Sequence, residues 1–225
     1  MIVYRFLHAR YALQALQTRR LKIGRLRELN DPMDCSPRLI NYPARHVDVL
    51  NQKFEQETIT AAAETVGLLC FSESAHDPVV WSHYADAHRG IALGFDFEPS
   101  ARLLPVKYQA ERATLDYAAL TDSKGGINMV ALEQGFTRKA PSWSYEKEHR
   151  LFVNLDHCEM DAEHYFLSMP KMAFVQVVLG ARCNLIANDI LRLIRTETQV
   201  QVLRARMNEH SYRVDLAGEL ETKLT

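Results

Sequence analysis

Trp143 to Val153, WSYEKEHRLFV, carries two carboxylates two residues apart, Glu146 and Glu148, with Arg150 two residues further on. The run reads as one extended strand. Side chains alternate along a strand, so Glu146, Glu148 and Arg150 share one face, with neighbouring acids about 7 Å apart. Tyr145, Leu151 and Val153 take the other face. Two acids on a core-like strand are costly unless they have partners or a chemical role. Adjacent carboxylates can act as general acid and base or stabilise a developing cation. They can equally form a structural ion cluster, because Arg150 is the same-face neighbour of Glu148.

Four other stretches carry reactive or ligand-binding types. In Trp81 to Gly90, WSHYADAHRG, helical spacing puts Trp81, Tyr84 and His88 along one stripe. Such a stripe makes a wall for a flat ring, or else Trp81 and Tyr84 are core and the histidines solvated. His83 and His88 are poorly spaced to share a metal on a regular helix, which argues against zinc. Asn30-Asp31-Pro32-Met33-Asp34 could orient a substrate or a metal through Asn30 and Asp31, or be a self-bonded turn. Arg5, between Tyr4 and Phe6 on an apolar strand, calls for an anion such as phosphate, or is a surface arginine at an edge. Cys70 to Ser74 sets the Ser72 and Ser74 hydroxyls after a buried run. No G-x-G-x-x-G, P-loop, H-E-x-x-H or G-x-S-x-G occurs, which disfavours Rossmann dehydrogenases, P-loop NTPases, zincins and α/β-hydrolases.

The 225 residues carry 27 basic and 28 acidic side chains, so no global field recruits nucleic acid or an acidic membrane. Any nucleic-acid contact has to be local; Arg19-Arg20 or Arg204 and Arg206 could serve. With 47% apolar residues the chain can build one substantial core. Cys35, Cys70, Cys158 and Cys183 form no C-x-x-C pair, which fits reduced cytosolic thiols rather than a structural zinc site. No apolar run reaches membrane-spanning length and no signal peptide opens the chain, so the expected location is cytoplasmic, without a membrane partner.

The elements that must position these residues follow from periodicity. Strands are expected at 3–7, 21–26, 67–72, 91–97, 103–108, 164–168, 173–179 and 200–207. Helices are expected at about 8–19, 45–65 and 184–195, with another starting at the Asp77-Pro78 cap and stopping at Gly90. A break at Gly125-Gly126 precedes a further helical pattern. The mixed order predicts one α+β domain over 1–225, with mixed, split β-sheets and flanking helices.

Several segments, taken in order, resemble a bacterial family catalogued as domain of unknown function 2971. They are Tyr4-Arg5, Asn30 to Asp34 (with Met33 where an aromatic is usual), Cys70-Phe71-Ser72, Trp81 to Ala85 with Gly90, Gly94 and Phe95, and Trp143 to Arg150. The order of Arg5, Ser72 and Glu146-x-Glu148 is also similar to the Arg-Ser-Glu class of ADP-ribosyltransferases, although Glu73 stands where that class shows threonine. This second resemblance implies an ADP-ribosyltransferase-like fold and NAD as co-substrate, with Arg5 at the NAD phosphate or ribose and Ser72 supporting the site. It further implies Glu148 as the catalytic acid, Glu146 activating or orienting the acceptor nucleophile, and Trp81 or Tyr84 packing on nicotinamide. Cleavage of the nicotinamide–ribose bond develops positive charge on the sugar, which a carboxylate stabilises. By analogy the acceptor is a nucleic acid or protein, and the setting is a toxin or phage-defence system with an antitoxin or defence-system partner. Two other readings stay open. One is a nuclease or hydrolase holding magnesium or manganese on Asp31, Asp34, Glu146 and Glu148. The other is a non-enzymatic sensor or interaction module in which these residues brace the core.

Overall fold

The computed structural model describes residues 1–41, 64–98, 101–120, 128–169, 174–194 and 199–218. The first strand, β1 (Ile2–Leu7), runs into α1 (Ala9–Thr18), whose Ala12, Ala15 and Leu16 are buried. Arg19, in the left-handed region at φ 56°, ends α1 and turns the chain into β2 (Arg20–Lys22) and β3 (Gly24–Arg25). A 3-10 turn at Leu26–Glu28 and β4 (Arg38–Ile40) follow, then β5 (Val66–Ser72), which is almost entirely buried. Asp77 caps α2 (Pro78–Tyr84) by accepting from the N–H groups of Val79 at 2.8 Å and Val80 at 3.4 Å, with proline at the first helical position.

The second half supplies β6 (Ile91–Asp96), β7 (Leu103–Pro105), β8 (Lys107–Tyr108), β9 (Thr114–Asp116), α3 (Met129–Gly135) and β10 (Arg138–Lys139). A 3-10 helix over Pro141–Glu146 leads to β11 (Glu148–Asn154), then β12 (Glu159–Asp161), β13 (His164–Ser168) and β14 (Phe174–Leu179). The chain continues through α4 (Ala187–Ile194) to β15 (Gln201–Met207) and β16 (Val214–Gly218). Among the described residues nine strands form one mixed sheet, ordered β16-β15-β14-β6-β1-β5-β11-β7 with β3 also on β5. With its helices and three smaller sheets, the protein is α+β as its sequence predicts.

One irregularity in this sheet matters most. β1 pairs with β6 over its full length, from Ile2↔Asp96 to Leu7↔Ile91, but meets β5 only at Tyr4↔Ser72. β11 takes the other edge of β5 from Glu148↔Ser72 to Asn154↔Val66, while β3 pairs with Leu68 and Gly67. β1 and β3 therefore share one edge of β5 and diverge along it, so the sheet splits. Three apolar clusters frame the split. One, including Val3, Leu69 and Ile190, packs α1 and α4; another holds Leu68, Leu132 and Phe136; the third centres on Trp81.

The structure corrects four expectations and leaves two outside its reach. Trp143 to Val153 is not one strand. Pro141 starts a 3-10 helix that ends at Glu146, and Lys147, left-handed at φ 44°, resets the chain into β11. The helix starting at Asp77-Pro78 stops at Tyr84, not at Gly90. Asp86, Ala87 and His88 are all left-handed, at φ 48°, 49° and 69°, and Gly90 N–H closes the loop onto Ala85 at 2.7 Å. That loop brings Gly90 against β1, where an added Cβ would lie 2.2 Å from the Leu7 carbonyl. The expected strand at 21–26 breaks into β2 and β3, which pair with β13 and β5 respectively. The one expected at 103–108 breaks at Val106 into β7 and β8, which pair with β11 and β10. Nearly all of the helix expected at 45–65, and the Gly125-Gly126 break, lie outside the described residues. Short strands β4, β9, β10 and β12, and β16 at the sheet edge, carry no periodic signal long enough to predict them.

Candidate functional site

The split opens into a cleft of about 220 Å³ lined by Tyr4, Arg5, Asn30, Ser72, Tyr84, Glu146 and Glu148 together with Asp34, Cys70 and Lys139. Where β1 and β5 diverge, Arg5 reaches across to β5 and β2. Its guanidinium donates to the Lys22 carbonyl at 2.8 Å and, at the long distance of 3.5 Å, to that of Cys70. Its Nε is buried without a hydrogen-bond partner, and no carboxylate pairs with it among the described residues. Burial lowers the Arg5 pKa, yet a guanidinium remains charged at any ordinary pH. A cation on the wall of a cleft without an acid partner is a seat for an anion.

Beneath the cleft lies a buried ion cluster. Arg150, wholly inaccessible, donates from Nε to Glu148 Oε1 at 2.8 Å and from Nη2 to Glu148 Oε2 at 2.9 Å. It also donates to both Asp34 oxygens, at 2.9 and 2.6 Å, and to the Phe136 carbonyl at 2.6 Å. Lys139 Nζ sits among three carboxylates, 2.6 Å from Glu146 Oε2, 3.2 Å from Glu148 Oε2 and 3.5 Å from Asp34 Oδ2. Strand register explains the placement: Glu148 and Arg150 stand opposite Ser72 and Cys70, on the face that also buries Leu68.

Glu146 belongs to the same cluster but arrives differently. The Ser72 hydroxyl donates to the Glu146 carbonyl at 2.6 Å, fixing the backbone at the end of the 3-10 helix. Asn30 Nδ2 donates to the Tyr84 hydroxyl at 3.3 Å, and that hydroxyl donates to Glu146 Oε1 through a short hydrogen bond. Residues from the first turn, α2 and the acidic segment thereby form one chain ending on Glu146.

The two acids differ in proton affinity. Burial works against ionising Glu148, but the Arg150 charge and hydrogen bonds, with Lys139 behind them, hold its carboxyl at about 2. Burial instead raises the Glu146 pKa, opposed by Lys139 and by the hydrogen bonds from Lys139 and Tyr84. The cluster holds three carboxylates (Asp34, Glu146, Glu148) against two cations (Lys139, Arg150), so the least neutralised acid binds a proton most readily. Burial pushes the Tyr84 hydroxyl up, and its bond to Glu146 adds to the shift. Burial likewise raises the Cys35 and Cys70 thiols, so neither is an activated nucleophile.

Of the residues singled out by sequence, the cleft gathers Tyr4, Arg5, Asn30, Asp34, Ser72, Tyr84, Glu146 and Glu148. Trp81 and His88 do not line it. Trp81 is fully buried, its indole N–H bonded to the Ala75 carbonyl at 2.8 Å, and His88 stacks on it at 6.2 Å. The termination of α2 at Tyr84 separates His88 from the predicted stripe. Asp31 is also absent from the lining; its carboxylate accepts from the Met33 N–H at 2.8 Å, the self-bonded turn. Among the described residues no three His, Cys, Asp or Glu side chains are grouped to hold a metal ion, and Lys139 occupies the point that Asp34, Glu146 and Glu148 share. Lys139 is the central residue that sequence reasoning missed. It comes from a two-residue strand with no local pattern to mark it.

The family model described as Protein of unknown function (DUF2971) matches residues 80–151, which span α2 through the Glu146–Arg150 segment. No curated protein matches the chain, and no solved structure does. None of these comparisons supports the resemblance to ADP-ribosyltransferases.

Proposed function

We propose that the cleft binds the nicotinamide–ribose end of NAD and transfers the ADP-ribose group to a macromolecular acceptor. The observation that carries this reading is the convergence of Arg5, Ser72, Glu146 and Glu148, far apart in sequence, on one cleft at a split in the sheet. A space of about 220 Å³ is smaller than the ~300–1,000 Å³ usual for a whole ligand site, so it suits one end of a dinucleotide. Arg5 receives the phosphates. Tyr4 and Phe6 supply apolar wall beside it.

In the reaction the nicotinamide–ribose bond breaks and its electron pair leaves with the nicotinamide nitrogen. The acceptor nucleophile bonds to the same ribose carbon, and its proton passes to Glu146. Glu148, ionised across the working pH range, supplies fixed negative charge against the cation that develops on the sugar. Glu146, whose pKa is raised, is the acid suited to exchange a proton. The division sharpens the sequence reading, in which Glu148 was the principal catalytic acid. Glu148 is 5% exposed, and both its oxygens accept from Arg150, so it acts through its charge rather than through a labile proton.

The test is thermal shift with NAD and with magnesium, alongside assay of nicotinamide release with nucleic acid and protein present. Saturating NAD should raise the melting temperature, and Glu146→Gln should keep that shift while losing release. A shift with magnesium instead would favour the metal-dependent hydrolase. No shift with either ligand, with Glu148→Gln merely less stable, would leave an interaction module braced by an ion cluster.

A further inference from the structure

Outside the cleft, three partly exposed rings gather on its rim. His83, at the exposed face of α2, lies 6.4 Å from Trp143 and 6.2 Å from Tyr145, which are 6.1 Å from each other. Trp143 and Tyr145 are half-buried and His83 is exposed. The group adjoins the cleft on two sides: His83 lies 6.0 Å from Tyr84, and the Trp143 ring lies 4.8 Å from Lys139 Nζ. Lys139 Nζ stands over one face of Trp143, and the rest of this half-buried ring, with Tyr145 and His83, forms a partly exposed aromatic surface held by two different elements.

A second groove, of about 140 Å³, begins where this platform ends, and Arg112, Arg138, Lys139 and Ala140 line it. Trp143 N–H bonds to the Ala140 carbonyl at 3.1 Å, so groove and platform are continuous along the chain. Lys107 pairs with Arg138 across β8 and β10. Among the described residues no carboxylate pairs with Lys107, Arg112 or Arg138, although Glu111 also lines the groove. The chain as a whole is close to neutral, so this local excess of positive charge stands out from its surroundings.

Arg112 donates to the Ser36 carbonyl and hydroxyl and Arg138 to Thr137, with no acid partner for either among the described residues. Aromatic surface beside such cations supplies the two components that hold a single-stranded nucleic acid. We infer that Trp143, with Tyr145 and His83, stacks an unpaired base of a single-stranded nucleic acid, and that Arg138 and Arg112 take its phosphates. The inference deepens the transferase reading by naming its acceptor: a nucleotide on this rim faces the Glu146 end of the cleft. A duplex keeps its bases stacked on one another and offers the platform none.

The binding is measurable without NAD, which separates the two ideas. Fluorescence anisotropy with a short labelled single-stranded oligonucleotide, as DNA and as RNA, should give saturable binding that the duplex form lacks. Trp143→Ala should weaken it about tenfold or more, while Trp143→Phe keeps most of it. Of the two tryptophans, Trp81 is wholly buried, so oligonucleotide quenching of tryptophan emission should vanish in Trp143→Phe. Arg138→Gln should leave the fold intact and lower the log–log salt slope by about 0.7, the release from one phosphate contact. Absence of binding at low salt overturns the inference even if NAD shifts the melting temperature, and it points to a protein acceptor. Binding that neither Trp143→Ala nor Arg138→Gln alters also overturns it. Oligonucleotide binding with no response to NAD would instead sink the transferase reading and leave the platform standing.

Discussion

Arg150 is the side chain on which the interior polar groups depend. It has no exposure and touches Asp34, Glu148 and the Phe136 carbonyl, so its removal leaves three buried carboxylates, Asp34, Glu146 and Glu148, with Lys139 alone to answer them. Arg150→Met should cost about 3–5 kcal/mol of unfolding free energy, measured by urea denaturation, because an uncompensated buried charge is worth more than the pair itself. Arg150→Lys keeps the charge but loses the forked geometry, and should fall between the two. The acids should show opposite pH signatures. The Glu148 carboxyl lies at about 2 in the folded state, below its ordinary value, so its stabilisation is present above that ordinary value and lost as pH falls toward 2. Glu146 has the reverse sign: its raised pKa favours the fold in acid, and that contribution is lost as pH rises through the folded-state value. Urea titrations across pH should therefore find Glu148→Gln destabilised near neutrality with the deficit closing in acid, while Glu146→Gln retains neutral-pH stability.

Among elements, α2 carries the connection between the core and the cleft. Trp81 anchors it, and Tyr84, at its last turn, reaches Glu146. Loss of the Asp77 cap should destabilise the protein by about 1 kcal/mol in Asp77→Ala, seen as a lower urea midpoint. The cap was legible in the sequence, because aspartate followed by proline has few other local explanations. β1, β5 and β6 were legible for the same reason: their apolar runs are long enough for a period of two to show. The end of α2 was not, since three consecutive left-handed residues without glycine, Asp86 to His88, defy local propensity and are held by the approach of Gly90 to β1. Lys139 was hidden for another reason: it sits on a two-residue strand with no periodic pattern to mark it. Asp34 was legible as an acid but not as the partner of Arg150, a contact across 116 residues of chain that no local pattern encodes. Glu146 was found as a residue and misread as part of a strand, because Pro141 and Lys147 overrule the alternation around it.

At the scale of the molecule each of the three apolar clusters draws on strands of the nine-stranded sheet. The largest draws residues from Val3 to Ile194, and the Trp81 cluster covers Ala92 and Val178 on the strands that follow β1 across that sheet. The whole should therefore unfold together. Near-UV circular dichroism, dominated by buried Trp81, and the far-UV signal should be lost in a single coincident urea transition. Separate transitions would divide the chain into two units. Among the described residues no helix is long and apolar enough to cross a membrane.

The left-handed Lys147 has a consequence for how this protein could be redesigned. One backbone torsion at φ 44° separates Glu146, which ends the 3-10 helix, from Glu148, which begins the strand. That joint puts Glu146 on a different element from the lattice of Glu148 and Arg150, which it meets through Lys139 and the Ser72 hydroxyl. Residues could be inserted or exchanged before Lys147 to re-aim Glu146 while the lattice of Asp34, Glu148 and Arg150 keeps its register with β5. Lys147→Gly should preserve the joint, since glycine accepts that torsion without strain, whereas Lys147→Val should straighten it and pull Glu146 out of reach of Tyr84.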